Sequence, residues 1–334
     1  MRERRHAARA FRVRTGEASA ETKAIPFSQY DNRHFDPRYC LSHAAFIAKG
    51  IANRIHEKKY KPAAAYRLEI PKPKGGIRTV NVFSIPDAAV SNLLARRLIR
   101  RNQKRFSPAS YAYRTDHGPL DAILLIKSIA QSPRLFLTEI DYSNYFDSID
   151  HDYVMRVLAN QEFGVSGGEM EIIREFMRYR YIPPGGNSGD PPIINNRGTP
   201  QGTSISLFVA NVAAHSLDME LERRNGVFVR FADDSLVMTF SYEDANSLYS
   251  HFLSFEKQST VKINAAKSSA VALFSAVPGE IKTKSQFSFL GYSFRRISNP
   301  DEVVLSISLA KIKNMKAVLS RLMNRPGFAG GYLV

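Results

Sequence analysis

The chain has 334 residues, 44% hydrophobic and 23% charged, a balance that fits a folded protein and excludes a disordered or fibrous one. Lysine and arginine outnumber aspartate and glutamate 47 to 31, for a net charge of +16, so polyanions, nucleic acid first, are the favoured partners. No apolar run of about 18 residues suggests a membrane span, and a single cysteine, Cys40, excludes an intrachain disulfide and fits a reducing, cytoplasmic setting.

A chain of this length predicts two closely packed subdomains. Met1 to Arg14 is rich in arginine and lacks the apolar centre of a secretory signal. It reads as a basic arm for phosphates, with an organellar presequence as the alternative. Helical periodicity follows at Leu41, Ala44, Ala45, Ala48, Ile51 and Ile55, so residues 1–60 form an arm and a helical extension. Ala65 to Ile70 and Ile77 to Val82 flank Pro71-Lys72-Pro73-Lys74-Gly75-Gly76, which predicts a hairpin with a basic tip.

Helices are expected from about Asp87 and over residues 119–131. Leu135 to Ile140 reads as a strand running straight into Asp141, with helical spacing resuming over Asp152 to Asn160 and at Ile172, Ile173 and Phe176. Pro183-Pro184-Gly185-Gly186 is a turn. Ser204 to Arg224 is a long helix, and Val227 to Phe231 with Leu236 to Phe240 a hairpin. After a helix over Ser241 to Gln258 come candidate strands at Val261 to Ile263, Val271 to Phe274, Phe287 to Phe294 and Val303 to Ile307. Leu309 to Met323 is a last helix, stopped by Arg325-Pro326-Gly327. The pattern is mixed, so the expected class is α+β; no Walker or dinucleotide glycine loop is present.

Asp233 and Asp234 sit between two apolar strands. Adjacent carboxylates repel each other, so the pair is comfortable where divalent cations share the charge, although an Asp-Asp turn is also ordinary punctuation. Asp141 ends a strand, before the polar and aromatic run Tyr142-Ser143-Asn144-Tyr145-Phe146. Arg197 to Ser206 contains Pro200-Gln201-Gly202, a turn that lets backbone approach a ligand and feeds a small-residue helix. His117 and His151 have no metal-ligand partner at a useful spacing and read as structural.

Taken in order, these blocks resemble the prokaryotic reverse transcriptase family, in the style of group II intron, retron and defence-associated enzymes. The resemblance runs over roughly residues 61–295 and rests on Tyr66 to Pro86, Ser110 to Arg114 with Gly118 to Ile123, Glu139 to His151, Thr199 to Ser206, Phe231 to Asp234, Lys262 to Ser268 and Phe289 to Tyr292. It implies a right-hand polymerase fold, with interleaved fingers and palm over 61–300 and a short or incomplete thumb over 301–334. The implied activity is RNA-directed DNA synthesis from dNTPs on an RNA template, extending a DNA primer.

By the same resemblance, Asp141, Asp233 and Asp234 are the catalytic carboxylates for two Mg²⁺ ions, with Mn²⁺ as a substitute. Lys72, Arg78, Phe146, Gln201 and Lys267 bind the nucleotide, with Phe146 as the ring that excludes a 2′-hydroxyl. Leu290, Gly291 and Tyr292 form the primer grip. Arg97 and Arg101, in the run Arg96 to Arg105, are template candidates. Phe231 stands where the family commonly has tyrosine, and Ser206-Leu207 where many relatives have Ser-Pro.

No Val-Thr-Gly follows Gly291, which points away from retron enzymes, and only 43 residues lie beyond it. These features suggest a stand-alone antiphage-defence enzyme copying a structured non-coding RNA, with a truncated C-terminus or a thumb completed by a protein partner or self-association. The alternatives are a retron or intron enzyme, an untemplated or protein-primed polymerase, RNA synthesis on the same palm, and a non-catalytic maturase-like RNA-binding subunit.

Overall fold

The computed structural model describes residues 32–71, 76–160, 163–186, 189–265, 268, 271–279, 281–298 and 301–323; the expected basic arm and the stop at Arg325-Pro326-Gly327 lie outside them. The first helices follow from their ends. The Asp36 carboxylate accepts the Arg38 amide and Pro37 opens α1 (Pro37–Ser42), which α2 (Ala44–His56) follows. The thiol of Cys40 is buried and donates to the His34 carbonyl at 3.3 Å.

The basic-tipped hairpin forms as β1 (Ala65–Pro71) and β2 (Ile77–Val82), antiparallel, with Tyr66 opposite Val82. α3 (Ile85–Asn102) carries Asp87 in its first turn, where the carboxylate accepts Tyr60 Oη at 2.7 Å and Ser84 Oγ at 2.6 Å. α4 (Pro119–Ala130) is capped by Asp121 reaching back to the Gly118 amide. Then come β3 (Phe136–Ile140), β4 (Tyr142–Ser143), α5 (Tyr145–Ser148) and α6 (His151–Asn160).

α7 (Gly167–Met177) opens on a Ser166/Glu169 capping box. β5 (Arg180–Ile182) and β6 (Ile193–Ile194) lead to α8 (Ile205–Glu222), and β7 (Val227–Phe231) and β8 (Asp234–Thr239) form the expected hairpin. The rest is α9 (Tyr242–Ser259), β9 (Lys262–Ile263), β10 (Ala272–Phe274), β11 (Thr283–Lys284), β12 (Gln286–Phe289), β13 (Tyr292–Ser298), β14 (Asp301–Ile307) and α10 (Leu309–Met323). One expectation is corrected: Phe287 to Phe294 is two strands, because Leu290 (φ +50°) and Gly291 (φ +78°) make a tight turn that reverses the chain between them.

The chain divides into two units, one from residues 1–96 and 165–206, the other from 97–164 and 207–334. The first holds the sheet β2-β1-β5-β6. Behind it Tyr60, Phe83, Phe176 and Tyr179 pack ring on ring, at 5.4 Å between Phe83 and Tyr179.

The second unit holds the five-stranded sheet β11-β10-β3-β8-β7, the sheet β12-β13-β14 and the short pair β4-β9. Its core joins one face of α4 (Ala122, Ile123, Ile126) to Val229, Leu236 and Met238 of the large sheet and to Phe287 and Phe294 of the smaller one. Those last two rings stack at 4.8 Å. The two sheets share one core, which makes β3 and β8 the fixed centre of this unit. Mixed helices and mainly antiparallel strands give the expected α+β class.

His215 on α8 is 4% exposed, its ring 4.8 Å from Phe163 and its Nδ1 without a partner. Burial, helped by the Arg230 charge, pushes its pKa from 6.5 down to about 4. The unfolded chain therefore binds more protons between these values, so this contribution to stability is complete above pH 6.5 and is lost as pH falls towards 4. We expect His215→Phe to flatten the drop in urea-unfolding free energy between pH 7 and pH 4.5, by up to about 3 kcal/mol; an unchanged slope would show that His215 does not drive it.

Candidate active site

β3 and β8 run antiparallel with Ile140 opposite Ser235. Continuing that ladder by one residue sets Asp141, which follows β3, across from Asp234, the first residue of β8. Asp233 precedes it in the two-residue turn Ala232-Asp233 that joins β7 to β8, closed by pairing of Phe231 with Asp234. Residues 92 positions apart in sequence are thereby brought to one end of one sheet.

Asp141 is held from below by its neighbours. Its amide donates to Ser268 Oγ at 3.1 Å, its carbonyl accepts the Asn264 amide at 2.8 Å, and its Oδ2 accepts Asn264 Nδ2 at 3.2 Å. The backbone after it pairs, as β4, with β9.

Among the described residues, no three His, Cys, Asp or Glu side chains converge into a group that alone could hold a metal. A hard cation such as Mg²⁺ takes one or two carboxylates plus substrate phosphates rather than a protein cage. Oxygen donors at the sheet end fit that habit.

Beside the carboxylates lies a set of rings. Asn144 at φ +49° starts α5, and the two aromatics that follow divide: Tyr145 is fully buried with its hydroxyl donating to the Ala210 carbonyl at 2.7 Å, while Phe146 is half-buried. The core role falls to Tyr145, so Phe146 is left partly open beside Tyr113, 6.5 Å away between ring centres. Tyr113 lies 6.4 Å from Phe231 on its other side. Burial, then the nearby Asp233 charge, push the Tyr113 phenol up, so it stays neutral.

The turn Leu290-Gly291 is seated on the start of α10. Ser308 donates its amide to the Gly291 carbonyl at 3.0 Å, and Lys311 Nζ lies 4.4 Å from the centre of the Tyr292 ring. In the other unit, the Pro200-Gln201-Gly202 turn lies directly on β2: the Asn81 amide donates to the Gln201 carbonyl at 2.7 Å. Arg78 is exposed on the same strand. Ser206 Oγ donates to the Pro200 carbonyl at 2.6 Å, which ties the turn to the first residues of α8 without the proline common at position 207.

A family model described as reverse transcriptase (RNA-dependent DNA polymerase) matches residues 70–294. This chain belongs to the reverse transcriptase family. It is 27% identical over 172 residues to the COX1/OXI3 intron 1 protein of Saccharomyces cerevisiae, covering 52% of this chain and 20% of that one. It is 24% identical over 170 residues to Protein YkfC of Escherichia coli, covering 49% and 42%. The match thus spans a fifth of the first relative and less than half of the second.

Among solved structures, telomerase from Candida albicans in complex with a fragment of telomeric RNA superposes with a TM-score of 0.57 at 14% identity, covering 82% of this chain and 52% of the telomerase. The apo enzyme from Candida tropicalis, truncated of its C-terminal domain, gives 0.54 at 12%, covering 80% and 60%. At such identities the likeness is one of fold.

Of the residues singled out in the sequence, Asp141, Asp233, Asp234 and Phe146 are gathered in the reverse transcriptase sheet unit, which also contains Leu290, Gly291 and Tyr292. Arg78 and Gln201 belong to the other unit. Lys72, Lys74 and Lys267 lie outside the described residues. Arg97 is exposed, and Arg101 donates to the Gly164 carbonyl at 2.8 Å, a structural tie that sequence did not suggest.

Also missed were Asn264 and Ser268, which hold Asp141, and the buried Arg230. The available signal for the last was a lone arginine in an apolar strand and a lone aspartate, Asp218, on an apolar helix.

Gly202 has φ +123°, and a Cβ there would stand 2.4 Å from the Asn81 carbonyl oxygen. We expect Gly202→Ala to destabilise the protein by on the order of 2 kcal/mol or more, read as a lower melting temperature. Unchanged melting would show that the turn is not seated on β2.

Proposed function

We propose that this chain is the polymerase part of an RNA-directed DNA polymerase, adding dNTPs to a DNA primer on an RNA template. The observation that carries this is the β3–β8 register, which sets Asp141 across from Asp234, with Asp233 next to it in the turn, in a chain whose family match spans the same residues. A nucleic-acid-binding module would gain nothing from Asp141, Asp233 and Asp234 at one end of a sheet, since carboxylates repel phosphates.

On this reading Asp141 and Asp233 would hold two Mg²⁺ ions, with Mn²⁺ as a substitute and Asp234 in support. When bound, such ions favour the ionised primer 3′-hydroxyl and neutralise charge on the triphosphate. The chain's own residues position the reactants. Asn264 and Ser268 fix the backbone of Asp141, and Asn264 also its Oδ2. Phe146, steadied by Tyr113, presents a ring edge to the sugar and leaves no room for a 2′-hydroxyl. Arg78 and Lys72 pair with phosphate oxygens, as guanidinium and ammonium groups do, Lys267 adds charge there, and Gln201 lies against the nascent base pair.

Leu290, Gly291 and Tyr292 approach the primer strand, and Arg97 with Arg101 the template backbone. Among the described residues no helix is long and apolar enough to cross a membrane, and the cytoplasmic setting inferred from one cysteine is part of the proposal. The narrower expectations of antiphage defence, a dedicated non-coding RNA and a partner that completes the thumb gain no support from fold or relatives.

Asp233→Ala should abolish Mg²⁺-dependent dNTP incorporation on an RNA template with a DNA primer; full retention would sink the two-metal assignment. Phe146→Ala should raise rNTP use relative to dNTP by about tenfold or more, measured as the ratio of kcat/KM values. A constant ratio would remove Phe146 from the sugar gate.

A further inference from the structure

We propose that the buried Arg230–Asp218 pair is a positioning device for Asp233: it pins the peptide plane from which that carboxylate projects. The inference rests on the metal-binding role assigned to Asp233 above.

Arg230 lies on β7, two residues before the turn, with its side chain 1% exposed and that of Asp218 fully buried. Its guanidinium is completely used. Nε donates to Asp218 Oδ1 at 2.7 Å and Nη2 to Oδ2 at 2.6 Å, Nη2 also to Ser110 Oγ at 2.7 Å, and Nη1 to Asn211 Oδ1 at 3.2 Å and to the Ala232 carbonyl at 3.1 Å. Every donor of an arginine fork has an acceptor. Burial works against the Arg230 charge, but the Asp218 carboxylate outweighs it and holds the guanidinium above its already high range. Burial likewise pushes the Asp218 carboxyl up, opposed by the same guanidinium, which donates to each of its two oxygens.

A buried ion pair is weak evidence for stability, since an apolar pair of similar volume is often as good. What an apolar pair cannot do is reach the Ala232 carbonyl. Ala232 has φ +59° and is 4% exposed, at the turn position where two-residue hairpins favour glycine. A left-handed alanine is disfavoured by about 1 kcal/mol or more, so this conformation needs an outside hold.

The hold acts on the right atom. The Ala232 oxygen and the Asp233 nitrogen share one planar peptide, so fixing the oxygen fixes where the Asp233 side chain emerges. Asn211 and Asp218 are two turns apart on α8, and Asn211 Nδ2 donates to the Ala112 carbonyl at 2.9 Å. The segment 109–111 is laced to Arg230 through its backbone, with the Tyr111 amide 2.9 Å from the Arg230 carbonyl. The clamp therefore refers the turn to a helix and to the segment carrying Tyr113.

The test measures Mn²⁺ binding to the full chain by electron paramagnetic resonance, with Asp233→Ala defining the Asp233-dependent part. The double variant Arg230→Met, Asp218→Leu should stay folded by circular dichroism but bind that Mn²⁺ at least about tenfold more weakly, or ~1.4 kcal/mol. Arg230→Lys, which keeps a charge for Asp218 without five donors, should weaken it by a smaller factor. In primer extension both should raise the half-saturating Mg²⁺ concentration and leave the KM for primer–template unchanged. Wild-type Mn²⁺ affinity in a folded double variant overturns the proposal, and if that variant does not fold, wild-type affinity in Arg230→Lys does so. Asp233-dependent Mn²⁺ binding without dNTP incorporation by the wild-type protein would sink the polymerase reading and leave the clamp standing.

Discussion

The antiparallel register of β3 with β8 is the constraint on which the site depends. Strand side chains alternate with a period of two, so a slip of one residue would exchange the side chains on the two faces of a strand. Leu137, Leu236 and Met238 are almost wholly buried in the core shared with α4 and the β12-β13-β14 sheet, so the core cannot accommodate such a slip. The same packing that excludes water from the sheet therefore sets Asp141 against Asp234.

Around that fixed register the chain tolerates strain. Among the described residues, Lys58, Tyr113, Asn144, Ala232, Thr260 and Leu290 have positive φ without being glycine, and Ala232 and Leu290 directly precede Asp233 and Gly291. Strain of this kind persists where surrounding structure over-determines it. At Ala232 the determining group is the Arg230 guanidinium. Beside Asn144 it is the anchoring of Tyr145 to the Ala210 carbonyl, which leaves the next ring, Phe146, to face outward.

Much of this was legible in the sequence. The Gly/Pro run specified the β1–β2 hairpin, the two apolar runs on either side of Ala232-Asp233 the β7–β8 hairpin, and helical periodicity located α3, α4, α8, α9 and α10 within a few residues. Legibility failed where the signal was not local. Phe287 to Phe294 read as one strand because both halves are apolar, although Gly291 already marked the reversal. The two-residue strands β4, β6 and β11 are too short to show a period and exist only through their partners. Nothing local in the sequence ties Arg230 to Asp218, and only pairing across α8 and β7 gives them a shared purpose.

The sequence by itself determined the family and the α+β class, and it singled out Asp141, Asp233 and Asp234 for the proposed site, because ordered motifs and local periodicities survive without knowledge of the fold. Only the tertiary structure decided that Tyr145 packs while Phe146 stays open, that Asn264 and Ser268 hold Asp141, and that an arginine two residues before the turn grips the peptide ahead of Asp233. Those are contacts between segments distant along the chain, and hydrogen bonding and close packing choose among candidates that composition and spacing leave equivalent.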